Sequence, residues 1–189
     1  GNGLPLTEPT LANISIFANN QPPDSTKTAT GSGPYQTAMH LRRNTATSVF
    51  NSVIVGYPEG LRLSDPGTLA NIGADKLQLR GIVLANVNTP ARGTNHATDA
   101  DAQALLANAA GQNQVVALAD LATLGLNANA FNLTGPSFLP TAGASIATGA
   151  VWTGKGADAF FEKVPYRGAF GTTNWTEGWT NFNPQQAQY

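Results

Sequence analysis

Cysteine is absent from the sequence, histidine occurs twice, methionine once, and only 11% of the residues are charged. Without cysteine there is no disulfide, no thiolate metal site and no thiol nucleophile. The net charge of −1 is spread without a long run of either sign, so the basic face that nucleic-acid binding needs is missing. No apolar stretch approaches the ~20 residues that span a bilayer. No lysine-headed apolar segment opens the chain, so no signal peptide is read in it. The scarcity of ionisable groups leaves no cofactor to assign, and the same holds for metals. His96 has no second histidine at ligand spacing, and Asp99 and Asp101 lack the glycine and glutamate that would follow in a calcium loop. The glycines at 31–33 lie in a Pro/Thr-rich stretch with no strand-to-helix context, and no Gly-x-Ser-x-Gly elbow occurs. Matches to the glycosylation pattern, such as Asn13-Ile14-Ser15, are expected by chance in a chain this rich in Asn and Thr.

What the chain has in quantity is Asn, Thr, Gly and Ala around short β-branched runs. At 189 residues it is one domain with room for a substantial core. "LANISIFANN" (11–20), "SVFNSVIVGY" (48–57) and "QLRGIVLANV" (78–87) align with Phe17, Val55 and Leu84 coincident, each followed by a small residue. A second set, "AMHLRRN" (38–44) and "GLRLSD" (60–65), matches Met39 with Leu61, Leu41 with Leu63 and Arg43 with Asp65, each 22 residues apart. Strand repeats of roughly 20–30 residues with no helix between them indicate a solenoid. The segments 19–34 and 64–75, dense in turn residues, read as loops bulging from single rungs.

Near residue 96 the character changes. Thr98 is placed as an N-cap, Asp99 and Asp101 lie in the first turn, and Gly111 stands where a C′ residue belongs, which predicts a helix of about three turns. A second, shorter helix is expected through "ALADLATLG", ending at Gly125. The division is then rungs over 1–95, a helical insertion over 96–127, and a last rung with a C-terminal cap over 128–189. That cap is expected to lay its aromatics over the exposed end of the solenoid.

"AMHLRRNTATSVFNSVIVGYPEGLRLSD", "FNLTGPSFLPTAGASIATGA" and "ADAFFEKVPYRGAFGTTNWTEGWTNFNPQ" together resemble the C-terminal portion of a Bacteroidetes family of surface or exported proteins, often lipid-anchored. The likeness covers most of the chain, in the family's order, and the aromatic last motif is its most specific part. The resemblance implies a right-handed, single-stranded parallel β-helix of the pectate-lyase-like kind, at or outside the outer membrane of a Gram-negative cell. Members are longer and begin with further strand repeats, so the chain reads as a fragment or a shortened member. The family has no agreed activity, so no catalytic residue is carried over.

Candidate residues follow from strand alternation. With Met39 and Leu41 inward, His40 and Arg42 turn outward and Arg43 falls inward at the strand end, one rung from Asp65. A bidentate Arg43–Asp65 tie between rungs is the structural expectation. His40 beside the Arg62 cation should stay neutral near pH 7. His40, Arg42, Arg62 and Ser64 form a solvent-facing row, either a solvated polar face or a shallow binding surface, with Glu59 and Asp65 flanking it. Trp175 and Trp179, four apart with Phe170 and Phe182 nearby, are either the core of the cap or, if exposed, platforms for sugar rings. The expected function is a non-catalytic surface or structural protein with a polysaccharide or surface-protein partner. The alternatives are a polysaccharide lyase or glycoside hydrolase, or the remnant of one, and a spacer without ligand. Oligomeric state is left open, because a first rung with no predecessor has unpaired edges that invite another chain.

Overall fold

A computed structural model of the protein describes residues 3–18, 35–132 and 134–187. Its strands are short because each carries only a few β-branched or leucine residues between turn-forming ones. Sheet A contains β1 (Thr10–Ala12), β4 (Ser48–Phe50) and β7 (Leu79–Arg80). Sheet B contains β2 (Ser15–Phe17), β5 (Val53–Val55), β8 (Val83–Ala85) and β10 (Gln114–Val116). Sheet C contains β3 (Thr37–Leu41), β6 (Glu59–Ser64) and β9 (Thr89–Thr94). Each of these pairings is parallel. The chain visits A, B and C in turn, then repeats the visit one rung further along.

This order stacks like side chains on like. Leu11, Val49 and Leu79 make one inward ladder, and Ile16, Ile54, Leu84 and Val115 a second. Met39, Leu61 and Ala91 make the third, with Leu41, Leu63 and Gly93 beside it. Leu61, Leu63, Leu79 and Leu84 are buried, and each such side chain contributes about 1.5–3 kcal/mol by leaving water. At the first rung Leu11 remains 42% exposed. Sheet B is apolar on both faces, which explains the unbroken runs in its strands. Its outer residues Val53, Val55, Val83 and Ala85 are covered by Leu124, Ala144 and Ile146.

Two helices occupy the corner between sheets C and A. Helix α1 (Pro66–Gly73) follows β6, where a loop over 64–75 is expected from composition. The turn residues there belong to a helix start: Pro66 occupies the first turn, where its missing N–H is no loss. Helix α2 (Asp99–Ala107) follows β9 and has a complete capping box between Thr98 and Asp101. It ends at Asn108, so Gly111 is not its C′ residue; that glycine lies in the following turn. Ala102, Leu105 and Leu106 of α2 join the Leu61/Leu63 core. The Leu41–Leu63 ladder ends at Gly93 for a steric reason, since a Cβ there would lie 2.1 Å from the Thr98 carbonyl carbon. The segment Leu118–Leu124 is a 3-10 helix closed by left-handed Gly125, and β10 lies between it and α2.

The alignment of Phe17 and Val55 with Leu84 is off by one: Val55 pairs with Ala85, and Leu84 pairs with Ile54. A one-residue slip exchanges the faces of a strand, and two-sided apolarity hid the error. Phe138 stacks on Phe17, whose register partner Val55 is, like Ala85 one rung further on, on the outer side of sheet B. The returning chain is strapped to the A–B corner. Asn51 donates to the Val151 carbonyl and accepts from its N–H at 2.7 Å, and Asn13 donates to the carbonyls of Tyr166 and Gly168.

The ladder predicts an unequal cost of truncation along the stack. Leu63→Ala should lose about 2–5 kcal/mol in urea unfolding, and Leu11→Ala, at the half-exposed first rung, less than half of the Leu63 value.

Candidate functional site

The polar row lies on the outer face of sheet C, and a kink in the middle of its strands sets its composition. No register pairing forms at Ala38, Gly60 or Pro90, although their neighbours on both sides pair. A Cβ on Gly60 would lie 2.7 Å from the Leu84 side chain and 2.7 Å from the Pro90 carbonyl, so this position faces the core, as Leu61 does. Two inward positions in succession leave Glu59 on the same outer face as Arg62.

Glu59 is fully buried in a clamp of cations. Its Oε2 accepts from Arg62 Nε at 2.8 Å and from the Thr37 hydroxyl at 3.0 Å, and Arg62 Nη2 binds the same oxygen. Its Oε1 accepts from Arg92 Nη1 at 2.8 Å. Arg62 is also held by Gln36, whose Oε1 accepts from Nη1 at 3.0 Å. The Arg62 side chain is 14% exposed and that of Arg92 42% exposed. With both oxygens taken by guanidinium groups, Glu59 is a structural counter-ion to the two arginines.

His40 pairs with Arg62, and Arg62 with Arg92, so the row climbs one rung per residue. Burial holds the His40 imidazole below the usual histidine range, with the Arg42 and Arg62 cations adding to it, while Asp65 and Glu59 pull the other way. Repulsion by Arg62 alone was expected; desolvation is the larger cause. His40 Nε2 lies 3.0 Å from Ser64 Oγ, a Ser–His contact between rungs. Ser64 is 1% exposed and shares a 2.6 Å hydrogen bond with Thr94, so its hydroxyl is a rung of the ladder and is not offered to solvent.

Arg43 requires a correction. It is exposed, with φ of 55°, because the strand ends at Leu41 and alternation ends with it. Asp65 does tie the two rungs, but through the Arg43 backbone N–H at 2.8 Å, not through a guanidinium fork. Arg42 is exposed at the end of the row. Trp175 and Trp179 are distant in sequence and are 49% and 70% exposed, so they do not form a buried cap core. His96 is exposed in a left-handed turn. Among the described residues no group of three or more His, Asp or Glu side chains is placed to hold a metal ion.

Three parallel sheets visited in rotation, with like residues stacked from rung to rung, have a counterpart among known families. A family model described as a pectate-lyase-like β-helix domain matches residues 1–180. The chain belongs to that family. No curated protein and no solved structure matches it. Family membership assigns no chemistry to the polar face of this β-helix domain.

Sequence reasoning brought His40, Arg62 and Ser64 together but missed Arg92, Thr94 and Gln36 and left Glu59 at the margin. The missing signal was a 30-residue offset between "EGLRLS" (59–64) and "TPARGT" (89–94), in which Arg62 meets Arg92 and Ser64 meets Thr94. Pro90 and Gly93 make the second segment read as a turn.

Two outcomes follow. Glu59→Gln removes the shared counter-ion and should cost about 1–3 kcal/mol in urea unfolding. Between pH ~6.5 and the depressed value, the unfolded chain binds a proton at His40 that the folded chain refuses, so stability falls as pH drops and is flat above that window. The acid-side decline in Tm should therefore be shallower for His40→Gln than for the parent.

Proposed function

We propose that this β-helix domain is a non-catalytic exported or cell-surface protein that binds an acidic glycan along the outer face of sheet C. The same reading takes its sheets as the faces of a right-handed, single-stranded solenoid. The observation that carries it is the Glu59 clamp. One buried carboxylate fixes two guanidiniums side by side on neighbouring rungs, and exposed Arg42, near enough to His40 to act on it, adds a third cation against the carboxylates of Glu59 and Asp65. Each guanidinium has five N–H donors, and the bonds described above use only some of them. Fixed, partly exposed guanidiniums recognise carboxylate or sulfate groups with little ordering cost. The repeat of His40, Arg62 and Arg92 across rungs suits a polymer running across the strands. A protein partner is less well matched, since such interfaces bury an apolar centre, whereas the row His40, Arg62, Ser64, Arg92 and Thr94 among the described residues is polar.

One observation favours a second reading. His40, held neutral beside two arginines, could accept a proton from an acidic sugar, as an eliminative lyase requires.

Affinity electrophoresis in gels containing polygalacturonate or alginate tests both. The binding reading predicts retarded migration that weakens with salt and falls at least several-fold in Arg92→Ala and Arg42→Ala, with no turnover. Migration unchanged by the polymers contradicts it. Release of an ultraviolet-absorbing unsaturated product, abolished in His40→Gln, replaces it with the lyase reading.

A further inference from the structure

The C-terminal segment contains a second surface that the sheet C reading does not use. A chain of rings runs outward from the body of the molecule. Phe138 stacks on Phe17 with centroids 5.3 Å apart, and Phe170 leans on Phe138 at 5.1 Å. Trp175 stacks on Phe170 at 5.3 Å with 11° between the planes, and Trp179 stacks on Trp175 at 6.0 Å. Exposure rises along this chain, from 6% at Phe170 through 49% at Trp175 to 70% at Trp179. The outermost ring is thus the one the protein itself covers least.

Both indole N–H groups are already engaged. Trp175 Nε1 donates to the Ala169 carbonyl at 2.9 Å, and Trp179 Nε1 donates to the Trp175 carbonyl at 2.6 Å. These bonds fix the orientation of the rings and leave the π-face of Trp179 as what it presents to solvent. The loop beneath is itself held, with the Thr176 hydroxyl donating to Asn174 and the Thr180 hydroxyl to the Thr176 carbonyl, each at 2.6 Å. A large, oriented aromatic face kept in water is a stacking platform prepared in advance.

The composition of the segment that carries the rings bears on what stacks there. Residues 171–187 contain one charged side chain, Glu177, among exposed Thr172, Thr173 and Asn181. A cationic ligand would be met by more acid than this, and an acidic one by a cation. Uncharged hydroxyl and amide groups around a flat apolar face match a pyranose ring, which has an apolar C–H face and a rim of hydroxyls. We infer that Trp175 and Trp179 form a stacking site for neutral sugar rings, separate from the charged face of sheet C.

The test is affinity electrophoresis of the whole chain in gels of hydroxyethylcellulose, xyloglucan or galactomannan, with tryptophan fluorescence followed in the same solutions. Retarded migration in at least one gel, with a change in indole emission, is expected. Trp179→Ala should weaken it by roughly tenfold or more, while leaving the Tm unchanged because that side chain is mostly in solvent. Arg92→Ala should bind the neutral polymers as the parent does, so failure of the acidic-glycan reading and failure of this one are told apart. Unretarded migration in every gel overturns the inference, and so does retardation that survives Trp179→Ala.

Discussion

Parallel stacking of one circuit of chain on the next, in fixed register, is the constraint on which the rest of the structure depends. No rung can bury its own inward residues; Leu61 is dry because Met39 and Ala91 are its register partners on either side and Leu84 lies across the core. Register also dictates what lies outside. With Leu61 and Leu63 facing inward, Arg62 and Ser64 must face outward, and the partner of each outward residue is set by the same ladder. In sheet C the ladder stops at β9, where α2 sends Ala102, Leu105 and Leu106 into the core and Gly93 makes room for its first turn, while sheet B continues by one more strand, β10.

The polar face follows from one departure from that regularity. The kink at Gly60 moves Glu59 out of the inward series and places its carboxylate against two guanidiniums from adjacent rungs. A buried carboxylate would be costly alone; here Thr37, Arg62 and Arg92 saturate it. The arrangement converts flexible arginines into fixed donors at the surface. It also separates the roles of the two oppositely charged partners, since the acid is consumed by structure and the bases remain partly open to solvent. The aromatic chain in the tail works differently, through stacked rings that grow more exposed with distance from sheet B.

The sheet C register was legible because Met39/Leu61 and Leu41/Leu63 alternate cleanly with polar residues between them. The sheet B register was not, since both faces of β5 and β8 are apolar and a slip of one residue leaves the pattern unchanged. Helix α1 was hidden by Asp65, Pro66 and Gly67, which serve a helix start as readily as a turn. Arg43 was misplaced by extending alternation past the last residue of β3, where the backbone turns left-handed. Glu59 escaped because its orientation depends on a kink at Gly60 whose cause, the Leu84 side chain and the Pro90 carbonyl, lies in other rungs. Those contacts are long-range, and no local pattern encodes them.

The register itself is open to a direct chemical measurement, because the chain has no cysteine to interfere. Ser64 and Thr94 are register partners on the outer face, with hydroxyl oxygens 2.6 Å apart. Paired parallel strands lie about 4.8 Å apart, within reach of a disulfide, whereas partners offset by two residues exceed its span. The double variant Ser64→Cys with Thr94→Cys should close an intrachain disulfide under mild oxidation, and Ser64→Cys with Arg92→Cys should not. Cross-linking of the offset pair in preference to the matched one would contradict the account.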